Sequence, residues 1–548
     1  MVLTQSGKES ISHYTVKKCS CYDTCAYIKQ WESNCHIRIY PHAYLGQDRN
    51  LLDKIDPARE YRIVIDEQFH KSLLSNTDDV HRRVTFDKIE ESGWNPEFVE
   101  LLINAPKDKP LYKYLLESKD EKALSEYIYD SIKISKNQIH EHDDLIDMYP
   151  PDQVKFAETM EAKSNLIKFM KVMDEELTLG KSESIAFIVK EDHFEMFYRK
   201  PVTRFSYNKD GEQVNMPITI IDADLNKKIN DLIFPAVNYF DFNVEKNCRY
   251  IQCYNSTNSK FSLKNGGDGR IAEANSLIQR LEGEGKRVLV IGNKDIIADK
   301  IVVSTNSAKI HFNNLRGYDG FKDFDCAVLI GRVEPSCDDL ERVARQLFYN
   351  LPHDLSLRME NLKAEIRGYR LKSGWKVGRE MRVHTDPTIQ ELLELVREAE
   401  ILQAIDRLRL VYNTERKDVY ILTNVILDLD IDHLLQSSEM AQGFTKLSQA
   451  WSSVNGVLPL NQKWLELTLP AIFPKGGAKA YFERIGTSIP QLLNNLFIDN
   501  PNEVSVYEYS LESNKGSGLK CLSKLDQEDT LTTLGQLHGL GVKSIKLI

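Results

Sequence analysis

Apolar residues follow two rhythms along this chain. Short unbroken apolar runs predict buried strands, and longer polar stretches with recurring leucines predict helices. His36-Ile-Arg-Ile-Tyr40 and Tyr61-Arg-Ile-Val-Ile65 read as strands, the second ending in Asp66-Glu67. Helix-like sequence covers about residues 85–180, split at Met148-Tyr-Pro-Pro-Asp152. Ser184–Val189 and His193–Tyr198 predict a hairpin. Pro217–Ile221 reads as another buried strand, leading into Asp222-Ala-Asp224. Asp224 is placed to cap the helix that follows.

From Tyr250 onward strands and helices alternate. Tyr250–Cys253, Arg287–Ile291, Ala327–Ile330 and Val419–Asn424 read as strands, and Ile271–Glu284 and about Pro387–Val411 as helices. Such alternation predicts a parallel α/β sheet. Beyond about residue 440 the pattern is mixed, and Gly541–Ile548 reads as a closing strand. Neither an internal repeat nor a low-complexity tract interrupts the chain.

Composition adds bounds. A chain of 548 residues exceeds one core, so about two to four domains are expected. The net charge of -10, from 71 Lys and Arg against 81 Asp and Glu, argues against a wholesale polyanion binder. It leaves room for a local basic track. The sequence contains no apolar run near the roughly 20 residues of a membrane span, and its first residues carry no signal-peptide apolar stretch. A cytoplasmic protein is expected. Nine cysteines in this length are not a disulfide framework.

Several segments carry chemistry. Asp66-Glu67, after an apolar strand, suits a Mg²⁺-holding aspartate and a water-polarising glutamate; a solvated turn is the alternative. Arg316-Gly317-Tyr318-Asp319 precedes the strand Asp325–Ile330. Its glycine permits a tight turn with N–H groups open to phosphate, and its aspartate can meet a ribose hydroxyl or an arginine; an ordinary βα loop is the alternative. Gly331-Arg332-Val-Glu-Pro335 lies at the carboxyl end of that strand, the edge where open parallel sheets bind ligands. Glu398, Glu400, Gln403, Arg407 and Arg409 fall in the long predicted helix, with Gln403 and Arg407 on one face. They suit either a γ-phosphate contact or a surface face of ion pairs. Arg358, Lys363, Arg367, Arg370, Lys372, Lys376, Arg379 and Arg382, interleaved with Tyr369 and Trp375, suit a single-strand nucleic-acid track; a solvated charged linker is the alternative. Cys19, Cys21, Cys25 and Cys35 fall within seventeen residues. They suit zinc or an iron–sulfur cluster, or are free thiols. His140-Glu-His-Asp-Asp144 reads as a solvated loop.

In content and order these segments, from about residue 19 to 435, resemble helicase-like proteins of phages and integrated elements. That group is distantly related to the iron–sulfur branch of superfamily 2 DNA helicases. The resemblance rests on the cysteine region, His42-Ala-Tyr-Leu45, Ile65-Asp-Glu67, Ile221-Asp-Ala-Asp224, Ile233-Phe-Pro235, His311–Gly317 and Glu398–Arg409. It implies α/β architecture with two RecA-like parallel-sheet domains and a small C-terminal α+β region. Residues 1–228 correspond to a first domain, incomplete at its N-terminus, with a helical insertion at about 85–180. Residues 229–436 correspond to the second domain and 437–548 to the accessory region. ATP and Mg²⁺ are the implied cofactors, with a possible iron–sulfur cluster or zinc at the four cysteines. Asp66, Glu67, Gln403 and Arg407 take the implied catalytic roles, and Arg316, Gly317, Asp319 and Arg409 the nucleotide-binding ones. Single-stranded or forked DNA is the implied partner, contacted by Arg367, Arg370, Lys372, Trp375 and Lys376. The setting implied is the cytoplasm of a bacterial or phage-infected cell.

The sequence departs from that pattern at Asp224, usually threonine, at Asp406, usually glycine, and at Arg409, one position early. The larger departure is the phosphate loop. It needs two glycines five positions apart with Lys and Ser or Thr directly after the second. Ser6-Gly7-Lys8-Glu9-Ser10 is the nearest match, and Glu9 would repel phosphate. The expectation is a truncated or degenerate motor, or one whose phosphate loop another polypeptide supplies.

Overall fold

The computed structural model describes residues 62–66, 69, 73–74, 83–107, 110–140, 150–179, 185–200, 206–209, 212–222, 225–234, 236–242, 244–315, 320–351, 355–357, 361–372, 376–497, 503–513 and 518–548. Cys19, Cys21, Cys25, Cys35, Glu67, Arg316, Gly317, Asp319 and Trp375 lie outside them. The chain divides into two compact units. The first draws on Met1–Tyr239, Ser336–Asn361 and His384–Leu392, and the second on Phe240–Pro335, Leu362–Val383 and Leu393–Ile548.

In the first unit, β1 (Ile63–Asp66) precedes β2 (Arg83–Thr85), α1 (Glu121–His140) and α2 (Pro150–Leu179). Then come β3 (Phe187–Val189), β4 (His193–Met196), β5 (Ser206–Lys209), β6 (Glu212–Asn215), β7 (Ile218–Ile221) and α3 (Lys227–Ile233). The proline pair that breaks the pattern opens α2, where a missing N–H costs nothing. As the pattern predicts, β3 and β4 form a hairpin, and β2 joins it. Phe169 of α2 closes on Phe187 at 4.9 Å and Phe194 at 5.2 Å. β1 pairs parallel with β7, setting Asp66 opposite Ile221. Ile65 is buried in that pair, while Val64 is 61% and Ile221 58% exposed. The cap of α3 is Asn226, whose side chain accepts from Ile229 N; Asp224 lies outside the described residues.

The second unit begins with β8 (Cys248–Cys253), α4 (Lys260–Lys264), α5 (Asp268–Gly283), β9 (Val288–Gly292), β10 (Ala308–His311) and β11 (Cys326–Ile330). It continues with β12 (Lys363–Leu371), β13 (Lys376–Val383), α6 (Pro387–Asp406), β14 (Lys417–Leu422), β15 (Asp430–Ile431) and β16 (His433–Leu435). The first six residues of α6 count with the first unit. Six strands form one all-parallel sheet in the order β10-β9-β11-β14-β8-β16. The architecture is therefore α/β. Every residue of β9, β11 and β14 is buried, because both faces of the sheet are covered. On one face Leu289, Ile291, Ala327 and Leu329 meet Ile401, Ala404 and Ile405 of α6. On the other, Val288, Val290 and Val328 meet Ala274, Leu277 and Ile278 of α5.

The long helix ends at Asp406, short of the expected Val411. Arg409 takes φ +53°, a left-handed conformation that no helix continues through. The charged stretch at 363–383 is not a linker: β12 and β13 form an antiparallel ribbon, with β15 alongside β12. The chain closes with β17 (Val457–Pro459), β18 (Ser505–Leu511), β19 (Leu519–Ser523) and β20 (Val542–Leu547), ordered β17-β19-β18-β20. Helices at 446–453, 477–485 and 489–496 pack on one side of that sheet and Gln527–His538 on the other, so this part is α+β. No helix among the described residues is long and apolar enough to cross a membrane.

Candidate functional site

Strand order picks out one place. From β9 the chain crosses outward to β10, and from β11 it crosses the other way to β14. The crevice between the carboxyl ends of β9 and β11 is thus the switch point at which such sheets bind ligands. Four strand ends converge there. Gly331, after β11, has φ +79°, and a Cβ on it would lie 2.3 Å from the Asn258 carbonyl oxygen. Asn258, after β8, donates Nδ2 to Leu422 O at 2.9 Å and accepts from Ser256 Oγ at 2.6 Å. Asn293, after β9, donates to Arg332 O at 3.3 Å. Asn424, after β14, accepts from Arg332 Nη1 at 3.1 Å.

The charges are buried. Arg332 is 5% exposed and Arg397, on α6, is 1% exposed. Glu334 Oε2 accepts from Arg332 Nη2 at 2.7 Å and Nε at 3.1 Å. Its other oxygen lies 3.6 Å from Arg397 Nη1. Arg397 also donates to Glu398 at 2.7 Å and to Arg382 O at 2.9 Å. Burial pulls the Arg332 guanidinium below its usual value, with Glu334 opposing. Burial pushes the Glu398 carboxyl up, with Arg397 opposing. Four strand ends and one helix therefore hold two guanidiniums and two carboxylates in a largely dry, hydrogen-bonded cluster.

Gly331, Arg332, Glu334 and Glu398 of this cluster stand out in the sequence as well. Asp66 is the exposed last residue of β1, in the first unit. Gln403 is 6% exposed on α6. Arg407 follows the end of that helix, half-buried, and Arg409 is exposed. This end of α6 lies at the amino-terminal edge of the sheet. Lys246, just before β8, pairs with Asp406 at 2.6 Å, and Lys417, which opens β14, donates to Leu408 O at 3.2 Å. The helix meets the carboxyl edge earlier, at Arg397 and at Glu400, which accepts from Asn313 N at 2.6 Å. Gln403 and Arg407 are thus not brought to the crevice, whereas Arg332 is.

On the ribbon, Tyr369 is 1% exposed with its hydroxyl donating to Asn424 O at 2.6 Å. It belongs to the core and cannot stack on a base. Arg367 pairs with Glu394. Arg370 pairs with Asp428 at 2.7 Å and Asp430 at 3.1 Å, and Lys372 with Asp432 at 2.9 Å. Arg379 stands over the Tyr254 ring at 4.8 Å. Lys376 opens β13. Three cations of the track, Arg367, Arg370 and Lys372, are thus matched by nearby acids, which an entering phosphate would have to displace. Asp428→Asn with Asp430→Asn is expected to tighten binding of oligothymidylate by roughly 3- to 10-fold, since each surface pair is weak. Fluorescence anisotropy at fixed salt reads this, and unchanged affinity removes the ribbon from the track.

Three features escape sequence reasoning. Arg397 is one charge among many on its helix. Ser256–Asn258 is marked only by a polar run at the end of a buried strand. Phe261 is 77% exposed between Lys260 and Lys264, both paired with Asp295 at 3.2 and 2.7 Å. Those two lysines hold the Asp295 carboxyl down at about 2. The signal for Phe261 is an aromatic between the two lysines of the short helix α4. Among the described residues no group of three or more His, Cys, Asp or Glu is placed to hold a metal ion. Comparison with protein-family models, curated proteins and solved structures finds no match to this chain.

Proposed function

We propose that this chain is a helicase-like, nucleic-acid-dependent ATPase scaffold of two RecA-like domains, acting in the cytoplasm. It needs a phosphate loop from elsewhere to hydrolyse ATP. The observation that carries this reading is the all-parallel six-stranded sheet. Along the sequence the helicase-like segments fall between its strands in their family order, 314–320 after β10 and Gln403–Arg409 before β14. The resemblance gives Asp66 and Glu67 to Mg²⁺ and water, Arg316, Gly317, Asp319 and Arg409 to nucleotide, and Gln403 and Arg407 to the γ-phosphate. The sequence contains no loop to cradle the phosphates, so no hydrolytic step follows from these residues alone.

One observation favours a second reading, a non-enzymatic nucleic-acid-binding or assembly protein on the same scaffold. Arg332, Arg397, Arg367, Arg370 and Lys372 all close on this chain's own carboxylates. An ATPase assay with and without single-stranded DNA tests whether this chain alone hydrolyses ATP, which neither reading expects. The expected result is oligothymidylate binding without DNA-stimulated hydrolysis. Stimulated hydrolysis by the chain alone, abolished by Asp66→Asn, overturns the dependence on an outside phosphate loop. Failure to bind any single strand overturns the nucleic-acid reading itself.

A further inference from the structure

We infer that Glu334 occupies a seat for a phosphate-class oxyanion between Arg332 and Arg397, at the switch point of the parallel sheet. The inference stands on side chains of the second unit and is independent of the helicase-like reading. One Glu334 oxygen takes two N–H bonds from Arg332, and the other lies 3.6 Å from Arg397. The carboxylate is therefore spread between two guanidiniums, as the oxygens of a phosphate are at an arginine clamp.

Three observations separate this seat from an ordinary buried ion pair. The first is position, since four strand ends converge on Arg332 at the edge where such sheets take ligands. The second is accessibility. The side chains of Arg332, Arg397 and Glu398 are 5%, 1% and 12% exposed, while that of Glu334 is 22% exposed. Glu334 also lies in the irregular stretch between β11 and the helix Cys337–Phe348. It is the member of the cluster that can turn outward. The third is incomplete satisfaction. Glu334 Oε1 is buried and accepts no hydrogen bond among the described residues. Arg397 keeps its hydrogen bonds to Glu398 when Glu334 leaves, but among the described residues Arg332 keeps only neutral hydrogen-bond partners, Asn424 and Thr257 O. The emptied seat then holds an uncompensated buried positive charge, which an entering oxyanion neutralises.

Thermal unfolding of the full chain tests this, with inorganic phosphate as probe and chloride at matched ionic strength as reference. E334Q is expected to unfold below wild type in chloride. It recovers in phosphate by roughly 1–3 °C once phosphate stands about ten-fold above its dissociation constant. Adding R332Q to E334Q abolishes that recovery. ADP and oligothymidylate then replace phosphate. A rise with ADP alone assigns the seat to a free nucleotide, and a rise with oligothymidylate alone assigns it to a nucleic-acid backbone. If E334Q responds equally to phosphate and chloride, the seat does not exist. Should E334Q fold in neither salt, E334D is read the same way: a phosphate-specific rise supports the seat, and its absence overturns it.

Discussion

Arg397→Ala is expected to destabilise the second unit by about 3–5 kcal/mol, the range for removing one partner of a buried charge pair. Arg397 is 1% exposed. Its loss strands Glu398, 9% exposed, and removes a donor from Arg382 O. Urea unfolding followed by circular dichroism measures the change. A loss below about 1 kcal/mol, the value of a surface pair, would mean that water reaches the cluster. The effect has a pH signature. Burial already holds the Glu398 carboxyl above its ordinary value, and Arg397 pulls it back. Without Arg397 the folded-state value rises further, so the folded chain binds that proton more readily than the unfolded chain. The added cost is full above the raised value. It disappears as pH falls toward the unfolded carboxyl value of about 4.3. The gap between variant and wild type therefore narrows on acidification from pH 7. Arg397→Met with Glu398→Gln recovers most of the loss, because neither charge is then left alone.

Gly331→Ala carries the second large effect. A left-handed backbone costs a non-glycine residue about 1 kcal/mol. The added methyl also meets the Asn258 carbonyl oxygen at 2.3 Å, and that atom is backbone, which cannot rotate away. Overpacking of this kind adds about 1–3 kcal/mol, giving about 2–4 kcal/mol in all. Relief of the clash moves the Ser256–Asn258 loop and breaks the bond from Asn258 to Leu422 O. Beyond its own loss of stability, the substitution added to E334Q is thus expected to abolish the phosphate-dependent rise in unfolding midpoint. Gly283→Ala is the control. It lies at the end of α5 with open space around its Cβ position, and its expected change is neutral or slightly stabilising. Equal unfolding of the two variants would show that the close approach at Gly331 is relieved without cost.

The local part of this structure was legible. β9 and β11 declare themselves as unbroken apolar runs, and β14 does so after its opening Lys417 and Asp418, because strands covered on both faces have little polar side to show. The proline break before α2 and the hairpin of β3 and β4 are equally local. The end of α6 was not legible. Gln403 to Arg409 reads as helix by propensity, yet the chain turns at Arg407 because Leu408 and Leu410 must enter the core beside β14. Tyr369 read as an aromatic on a charged track. The period of two in β12 instead sends it inward with Leu371.

The sequence by itself determined the α/β class, the alternation of strands and helices, and the absence of a phosphate-loop motif. Each of these is a property of neighbouring residues. The tertiary structure alone decided the strand order, and with it the switch point between β9 and β11. It also decided which charges face one another. Arg332, Glu334, Arg397 and Asn424 come from three separate segments, and the acids that match the ribbon come from α6 and from the stretch after β14. A charged side chain carries no local mark of its partner. The crossovers of a parallel sheet select that partner, and burial then sets the strength of the pair by removing the water that screens it.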